Sequence, residues 1–177
     1  MRAILRLLPL ATGLLSIVSF AGAANLPSLA VGTGSGAPGA TVTVPITFTA
    51  TAGNLAALQC AVGVPSGWSI ASVTAGPAAT KASKSVDANK SQGMVMVFSA
   101  NEQAIGTGVV AYVKINIPTS AASGTYPIPL SGVLFSSRQG SRLTGGTPVS
   151  GAITVASSSE SVPGVAATGS VQDNSSR

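Results

Sequence analysis

Residues 34–39 read GSGAPG, which matches the G-x-G-x-x-G spacing that holds a dinucleotide pyrophosphate. Such a site needs a helix directly after the glycines, because the N-terminus of that helix binds the phosphates. The residues that follow, ATVTVPITF, alternate with a period of two, as a strand does. Pro38 also lies inside the motif, and no acidic residue follows it about 20 positions on. The glycines and proline therefore predict a turn between two strands, residues 29–31 and 41–49.

Groups that could catalyse a reaction are scarce. The chain has no His, which removes Ser-His-Asp and Cys-His catalysis and the commonest metal ligand. Asp87 and Glu102 are the only carboxylates before the C-terminal stretch, and both lie in loop-like segments. A glycosidase needs two carboxylates at a set separation, and a calcium site needs more than two. We therefore expect a protein that is not an enzyme, with no cofactor and no metal site.

The first 23 residues have the pattern of a secretory signal peptide. Arg2 and Arg6 precede an apolar run, and Ala21-Gly22-Ala23 supplies the small residues of a cleavage site. The apolar run is short for a membrane anchor, which is the alternative interpretation. The pattern predicts cleavage after Ala23, secretion to the extracellular space or cell surface, and no membrane span afterwards.

The basic residues are too few and too scattered for a nucleic-acid surface. Without the two arginines of that N-terminal segment, nine basic residues become seven against four acidic ones, a net charge of about +3. Lys81, Lys84 and Lys90 lie around Asp87, without the dense stripe and stacking aromatics that nucleic acids require. These lysines predict a solvated loop and no nucleic-acid partner.

Between Leu26 and Val155 the sequence predicts an all-β domain. Period-two alternation recurs, Gly, Pro, Ser and Asn occupy the gaps, and no helical apolar stripe is present. Pro45 lies within a strand and cannot donate to a ladder, which indicates an edge strand or a bulge. The predicted strands are residues 29–31, 41–49, 58–64, 68–75, 94–100, 109–117, 125–130, 133–135 and 149–155.

The alternation also predicts which side chains form the core. In residues 58–64, Leu58, Cys60, Val62 and Val64 share one face, so Cys60 is expected to be a buried apolar residue rather than a nucleophile. In residues 109–117, the set Val109, Ala111, Val113, Ile115 and Ile117 points inward, whereas Tyr112 and Lys114 point outward. Residues 94–100, MVMVFSA, are apolar on both faces, as in a central strand.

The ordered set of strands resembles a cohesin domain. The segments that carry the resemblance are VGTGSGAPGATVTVPITFT, NLAALQCAVGVPSGWSIASVTAG, GMVMVFSANEQAIGTGVVAYVKINIP, SGTYPIPLSGVLFS and GAITV, in that order. The resemblance implies a jelly-roll β-sandwich of about nine strands, related in fold to cellulose-binding modules. The chain is thus predicted to consist of the signal peptide (1–23), a cohesin-like domain (24–155) and, since the residues after Val155 are small, polar and without period, a flexible, Ser/Gly-rich tail (156–177).

The resemblance implies a binding module rather than an enzyme. Cohesins bind dockerins, which are calcium-loaded modules on polysaccharide-degrading enzymes. The cohesin strand that matches residues 58–64 usually carries polar recognition residues, and Gln59 stands at such a position here. Asn101 and Glu102 follow the next long strand and complete the predicted partner-binding set. The strand lacks the family's usual Asn and Asp and has Val64-Pro65-Ser66 in place of a terminal Asp-Pro.

Two alternatives remain on the same fold. The first is a carbohydrate-binding module, since aromatic rings stack on sugars. Tyr112 is the candidate for stacking because it points outward, whereas Trp68 is expected in the core. The second is a structural component of the cell surface or matrix, which the Thr- and Ser-rich exposed faces would suit.

Overall fold

The computed structural model describes residues 26–50 and 54–156 of the 177-residue chain. Within them the fold consists of short β-strands and one short helix. The elements, in chain order, are β1 (Ser28–Val31), β2 (Thr33–Gly36), β3 (Thr41–Thr49), β4 (Leu55–Val62), β5 (Ser69–Ala75), α1 (Pro77–Lys81), β6 (Ser85–Asn89), β7 (Met94–Phe98), β8 (Gly108–Asn116), β9 (Gly124–Ile128), β10 (Leu130–Ser137), β11 (Arg142–Leu143) and β12 (Gly151–Val155).

The strands form two layers. One layer is a five-stranded sheet in the order β11-β10-β4-β7-β6. The other joins a four-stranded sheet, β1-β3-β8-β5, to a three-stranded one, β2-β12-β9, because β1 continues into β2 through Gly32. A parallel bridge between Ala30 and Val149 also ties β1 to the segment that leads into β12. The predicted all-β jelly-roll sandwich is confirmed; the strand count exceeds nine because β1 and β2 divide one strand and β6 and β11 are short additions.

The core lies between the layers and follows the predicted alternation. Val44, Ile46 and Phe48 of β3 are fully buried, as period two requires. Phe48 meets Phe135 of the opposite layer with ring centroids 5.8 Å apart and the planes tilted by 50°. This tilted geometry is favourable for aromatic pairs and fixes the contact between the two layers.

Two further core predictions are confirmed. Cys60 is completely buried, and burial raises the pKa of its thiol from the ordinary 9.0 to about 12. Trp68 is buried beside Tyr126, with ring centroids 5.0 Å apart. A buried, protonated thiol cannot act as a nucleophile at neutral pH.

The glycine-rich motif is only partly a turn. Its first half lies in β2, which runs parallel to β12, and the turn is confined to residues 37–39, where Gly39 has φ of +81°. A Cβ at Gly34 or Gly36 would lie 2.5 or 2.7 Å from the side chain of Val42. Glycine is therefore required in β2 because this strand lies directly against β3.

The prediction of a solvated lysine-rich loop is wrong. Pro77 begins α1, and the chain then forms β6, which pairs with β7. Lys81 and Lys90 are exposed, but Lys84 is only 5% exposed. The helix has five residues, which is too short for an apolar period to appear in the sequence.

Pro45 lies in an interior strand, since β3 is between β1 and β8. The edge-strand interpretation is therefore wrong, whereas the bulge is present, one residue further on, as a register shift between Ile46 and Thr47. Because of this shift, Val110 of β8 has no pairing partner on β3, and the alternation along β8 changes at this point. Val110 is therefore buried, and Val109 is only half buried. The inward orientation predicted for Val109 is wrong for this reason.

Candidate binding face

The outer side of the five-stranded sheet faces solvent, and we call it the open face. Along each strand of this sheet, side chains point alternately to solvent and to the core. Cys60 and Val97, for example, lie between outward-pointing residues and are buried in the core. The open face consists of Ala57, Gln59 and Ala61 of β4, Met94, Met96 and Phe98 of β7, Leu134 and Ser136 of β10, and Ser85, Asp87 and Asn89 of β6.

The centre of the open face is apolar. Four large apolar side chains are exposed in the described part of the chain, and two of them, Phe98 (45% exposed) and Leu134 (37%), lie here. Met94 and Met96 are half buried beside them on β7. Exposed apolar residues gathered on one face, with polar residues at its edge, mark a site for association.

Strand register places Gln59 in the middle of this face. Leu134 of β10 lies opposite Gln59, and Met96 of β7 lies opposite it on the other side. Asp87 of β6 continues the row beyond Met96. The predicted site residue Gln59 is therefore a polar group between two apolar neighbours, with the carboxylate of Asp87 at the edge strand.

A shallow hollow of about 200 Å³ lies beside Gln59 on the open face. Its lining comes from three adjacent strands and consists of Ala57, Leu58, Gln59, Met96, Phe98, Leu134 and Ser136. The small side chain of Ala57 leaves space in this lining, because Ser136 lies opposite it on β10 and the larger Phe98 of β7 borders the same hollow. This lining contains no charged group.

Asn101 occupies the loop after β7 and is engaged within the protein. Its Oδ1 accepts hydrogen bonds from Lys84 Nζ at 2.7 Å and from the Gln103 amide at 3.1 Å. Its Nδ2 donates to the carbonyl oxygens of Ala82 and Ser83 at 3.2 and 2.9 Å. The side chain thus ties this loop to the segment between α1 and β6.

Lys84 is the other half of this link. Its Nζ donates to the backbone oxygen of Asn101 at 2.9 Å as well as to the side chain. Burial lowers the pKa of this lysine from its ordinary value, because desolvation disfavours the ammonium form. Lys84 therefore holds the loop in place from beneath rather than presenting a positive charge to solvent.

The remaining predicted residues lie elsewhere. Glu102 is exposed in the loop beyond Phe98, at the end of β7. Tyr112 is half buried on the outer side of the other layer, between Pro45 of β3 and Thr74 of β5. The structure therefore places Gln59 on the five-stranded sheet, Asn101 and Glu102 in the loop that follows β7 of that sheet, and Tyr112 on the opposite layer.

Sequence reasoning missed the apolar residues of the open face. The run MVMVF is apolar at every position, which predicts burial on both sides. The strand is interior within its sheet, but one side of it has no covering layer among the described residues. The signal was present, since an apolar outer side in a two-layer sandwich indicates either a third layer or a binding surface.

Two other kinds of site were sought in the described residues. No group of three or more metal-ligating His, Cys, Asp or Glu side chains occurs in residues 26–50 and 54–156. In the same residues, no helix is long and apolar enough to cross a membrane. The predicted signal peptide, and the predicted tail beyond Ala156, lie outside the described residues.

Several solved cohesin structures share this fold. The third cohesin of ScaC from Acetivibrio cellulolyticus, solved with the ScaB dockerin, is 26% identical, with a TM-score of 0.64 over 73% of this chain and 99% of that one. The cohesin CaCohA2 of Clostridium acetobutylicum, solved with a dockerin, is 22% identical, with a TM-score of 0.62 over the same shares. A non-cellulosomal cohesin from Archaeoglobus fulgidus is 16% identical, with a TM-score of 0.61 over 76% and 94%.

The fold is a β-sandwich module, and one of its outer faces has an exposed apolar centre. The sequence profile of the cohesin domain matches residues 27–155, which is most of the chain. The comparison with curated protein sequences finds no match. The chain therefore belongs to the cohesin domain family, and the resemblance found in the sequence is confirmed.

Proposed function

We propose that this chain is a non-catalytic module whose open face binds dockerin-type protein modules. The observation that carries the proposal is the exposed apolar centre of the open face, around Gln59, in a chain of the cohesin family. Two of its structural relatives were solved with dockerins bound, which supports the same class of partner here.

The composition of the open face suits a protein partner. The core of a protein interface is depleted in charge and enriched in aromatic residues and Met, while the rim is polar. Met96 and Phe98 provide such a centre, and Ser85 and Asp87 on the edge strand provide the rim. Gln59 adds an amide that can both donate and accept a hydrogen bond within the apolar centre.

The three predicted partner-binding residues take different roles in this proposal. Gln59 contacts the partner directly, and Glu102 lies at the rim, where a charge affects the association rate more than the affinity. Asn101 keeps its internal hydrogen bonds and determines the position of the loop that carries Glu102.

Two charge substitutions on opposite layers test where the partner binds. Gln59→Arg places a cation in the centre of the open face and should weaken dockerin binding at least about 30-fold. Thr43→Arg is the matched control, because Thr43 is exposed on the other layer, and it should change the affinity less than about threefold. Binding of both full-length variants to calcium-loaded dockerins is measured by interferometry. Equal losses for both variants would exclude the open face.

The setting of this interaction is part of the proposal. Residues 1–23 direct export, residues 24–155 form the binding domain, and residues 156–177 follow it as a Ser/Gly-rich tail. The partner dockerin would then be carried by an extracellular enzyme of polysaccharide degradation. Intact mass of the protein recovered from culture medium tests the export step. A chain that begins at Ala24 supports it, and a chain that still begins at Met1 contradicts it.

Carbohydrate binding through Tyr112 is the second candidate. The ring is partly exposed on the outer side of its layer and lies beside Pro45, which gives one stacking position. Tyr112→Ala should abolish the retardation of the protein in an affinity gel that contains a soluble polysaccharide, and it should leave dockerin binding unchanged. Retardation that persists in this variant would remove Tyr112 as the sugar contact.

A further inference from the structure

The hollow on the open face is small and carries no charged side chain. It is about 200 Å³ in volume and is lined by side chains of β4, β7 and β10. Phe98 and Leu134 are its most exposed walls, and Ala57 leaves the space between them. A bulge in β10 between Ser131 and Leu134 shifts the register directly before Leu134.

We propose that this hollow receives one apolar side chain from the partner, which anchors recognition at the open face. The inference rests on the proposed function and adds the chemistry of the contact. The anchor is a Leu-, Ile-, Met- or Phe-sized side chain on a dockerin helix, since such a side chain fills an uncharged hollow of this volume.

Charge on the open face favours this choice over an ionic anchor. The hollow contains no charged side chain, and Asp87 and Arg142 lie on the edge strands β6 and β11, at opposite sides of the sheet. A charged anchor would lose its water without gaining a partner of opposite charge, which is costly. An apolar anchor gains from the burial of Phe98 and Leu134.

The walls of the hollow can adapt to the anchor. Met96 borders it, and its flexible thioether side chain fits apolar groups of different shape. Gln59 also borders it and offers an amide to the partner backbone beside the anchor. One apolar contact within a ring of weaker contacts is the usual arrangement of a binding hot spot.

Filling the hollow tests the proposal. Ala57→Leu adds apolar surface to the open face but occupies the space of the anchor, so it should weaken dockerin binding at least about 30-fold. Thr43→Leu is the matched control, because it adds a leucine to the outer side of the opposite layer, where Thr43 is exposed on β3 and does not line the hollow. It should change the affinity less than about threefold.

The experiment uses the full chain and the calcium-loaded dockerin that the unmodified chain binds most tightly. Thermal unfolding confirms that both variants fold, which is expected because Ala57 and Thr43 lie on the outer sides of β4 and β3. Equal affinity of Ala57→Leu and the unmodified chain, or equal losses in both variants, would overturn the anchor while leaving the docking function in place. Absence of binding by the unmodified chain to every dockerin tested would overturn the proposed function and the anchor with it.

Discussion

Two phenylalanines on opposite sides of the same sheet provide a quantitative test of the fold. Phe98 on β7 is 45% exposed on the open face, whereas Phe135 on β10 is 1% exposed and contacts Phe48. Full burial of such a side chain is worth roughly 1.5–3 kcal/mol, so Phe98, about half buried, contributes about 1 kcal/mol. Its removal leaves no internal cavity, because the site is open to solvent.

Phe135→Ala should cost much more, about 3–5 kcal/mol, since the loss includes both the transfer of the ring and the cavity left behind. The lost aromatic contact with Phe48 contributes roughly 0.5–1.5 kcal/mol of this. The free energies of unfolding of the full-length variants Phe98→Ala and Phe135→Ala are measured by urea denaturation. The dependence of the unfolding free energy on urea concentration (the m-value) should be the same as in the unmodified chain. A cost for Phe98→Ala as large as that for Phe135→Ala would refute the exposed position of Phe98 and, with it, the open face.

Three further predictions concern the core and the backbone. Folding raises the pKa of Cys60 to about 12, so the contribution of the protonated thiol to stability is complete below pH 9 and is lost as the pH rises from 9 to 12. The free energy of unfolding should fall in this range by up to about 1.4 kcal/mol per pH unit. The fall should be smaller for Cys60→Ala, as measured by unfolding at several pH values. Asn101→Ala should cost about 1–3 kcal/mol because it removes the side-chain acceptor of buried Lys84 and leaves only the backbone one. Adding Lys84→Met should restore part of that loss in a double-mutant cycle. Gly93→Ala should lower the free energy of unfolding by about 1–3 kcal/mol, since φ of Gly93 is +68° and a Cβ there would collide with the β4 backbone. Gly132→Ala should lower it less, because φ of Gly132 is +56° but a Cβ there would meet no other atom within 4 Å.

Much of the fold follows from local alternation. The bounds of β3 match the predicted strand 41–49, and its buried residues are those that period two selects. Cys60 and Trp68 were predicted in the core because apolar neighbours and turn residues determine their positions. Long strands with one buried side carry a strong signal in a single sequence.

The parts that could not be predicted depend on contacts between distant segments. The bulge that buries Val110 arises from pairing between β3 and β8, which no local pattern reveals. Lys84 is buried because Asn101, 17 residues away, supplies its acceptors. The hollow exists only because three strands place Ala57 between larger side chains. Sequence alone identified Gln59 as a candidate site residue, but its apolar surroundings required the register.

Calorimetric titration of the full chain with dockerin modules tests the central claim most directly. The panel comprises calcium-loaded dockerins encoded in the same genome and the dockerins of the matched complexes, each titrated with calcium and again with a chelator. We expect at least one dockerin to bind with a dissociation constant below about 1 μM in calcium, as for a specific interface of standard size, and binding to be lost with the chelator. Absence of heat for every dockerin in calcium would contradict dockerin recognition by this chain.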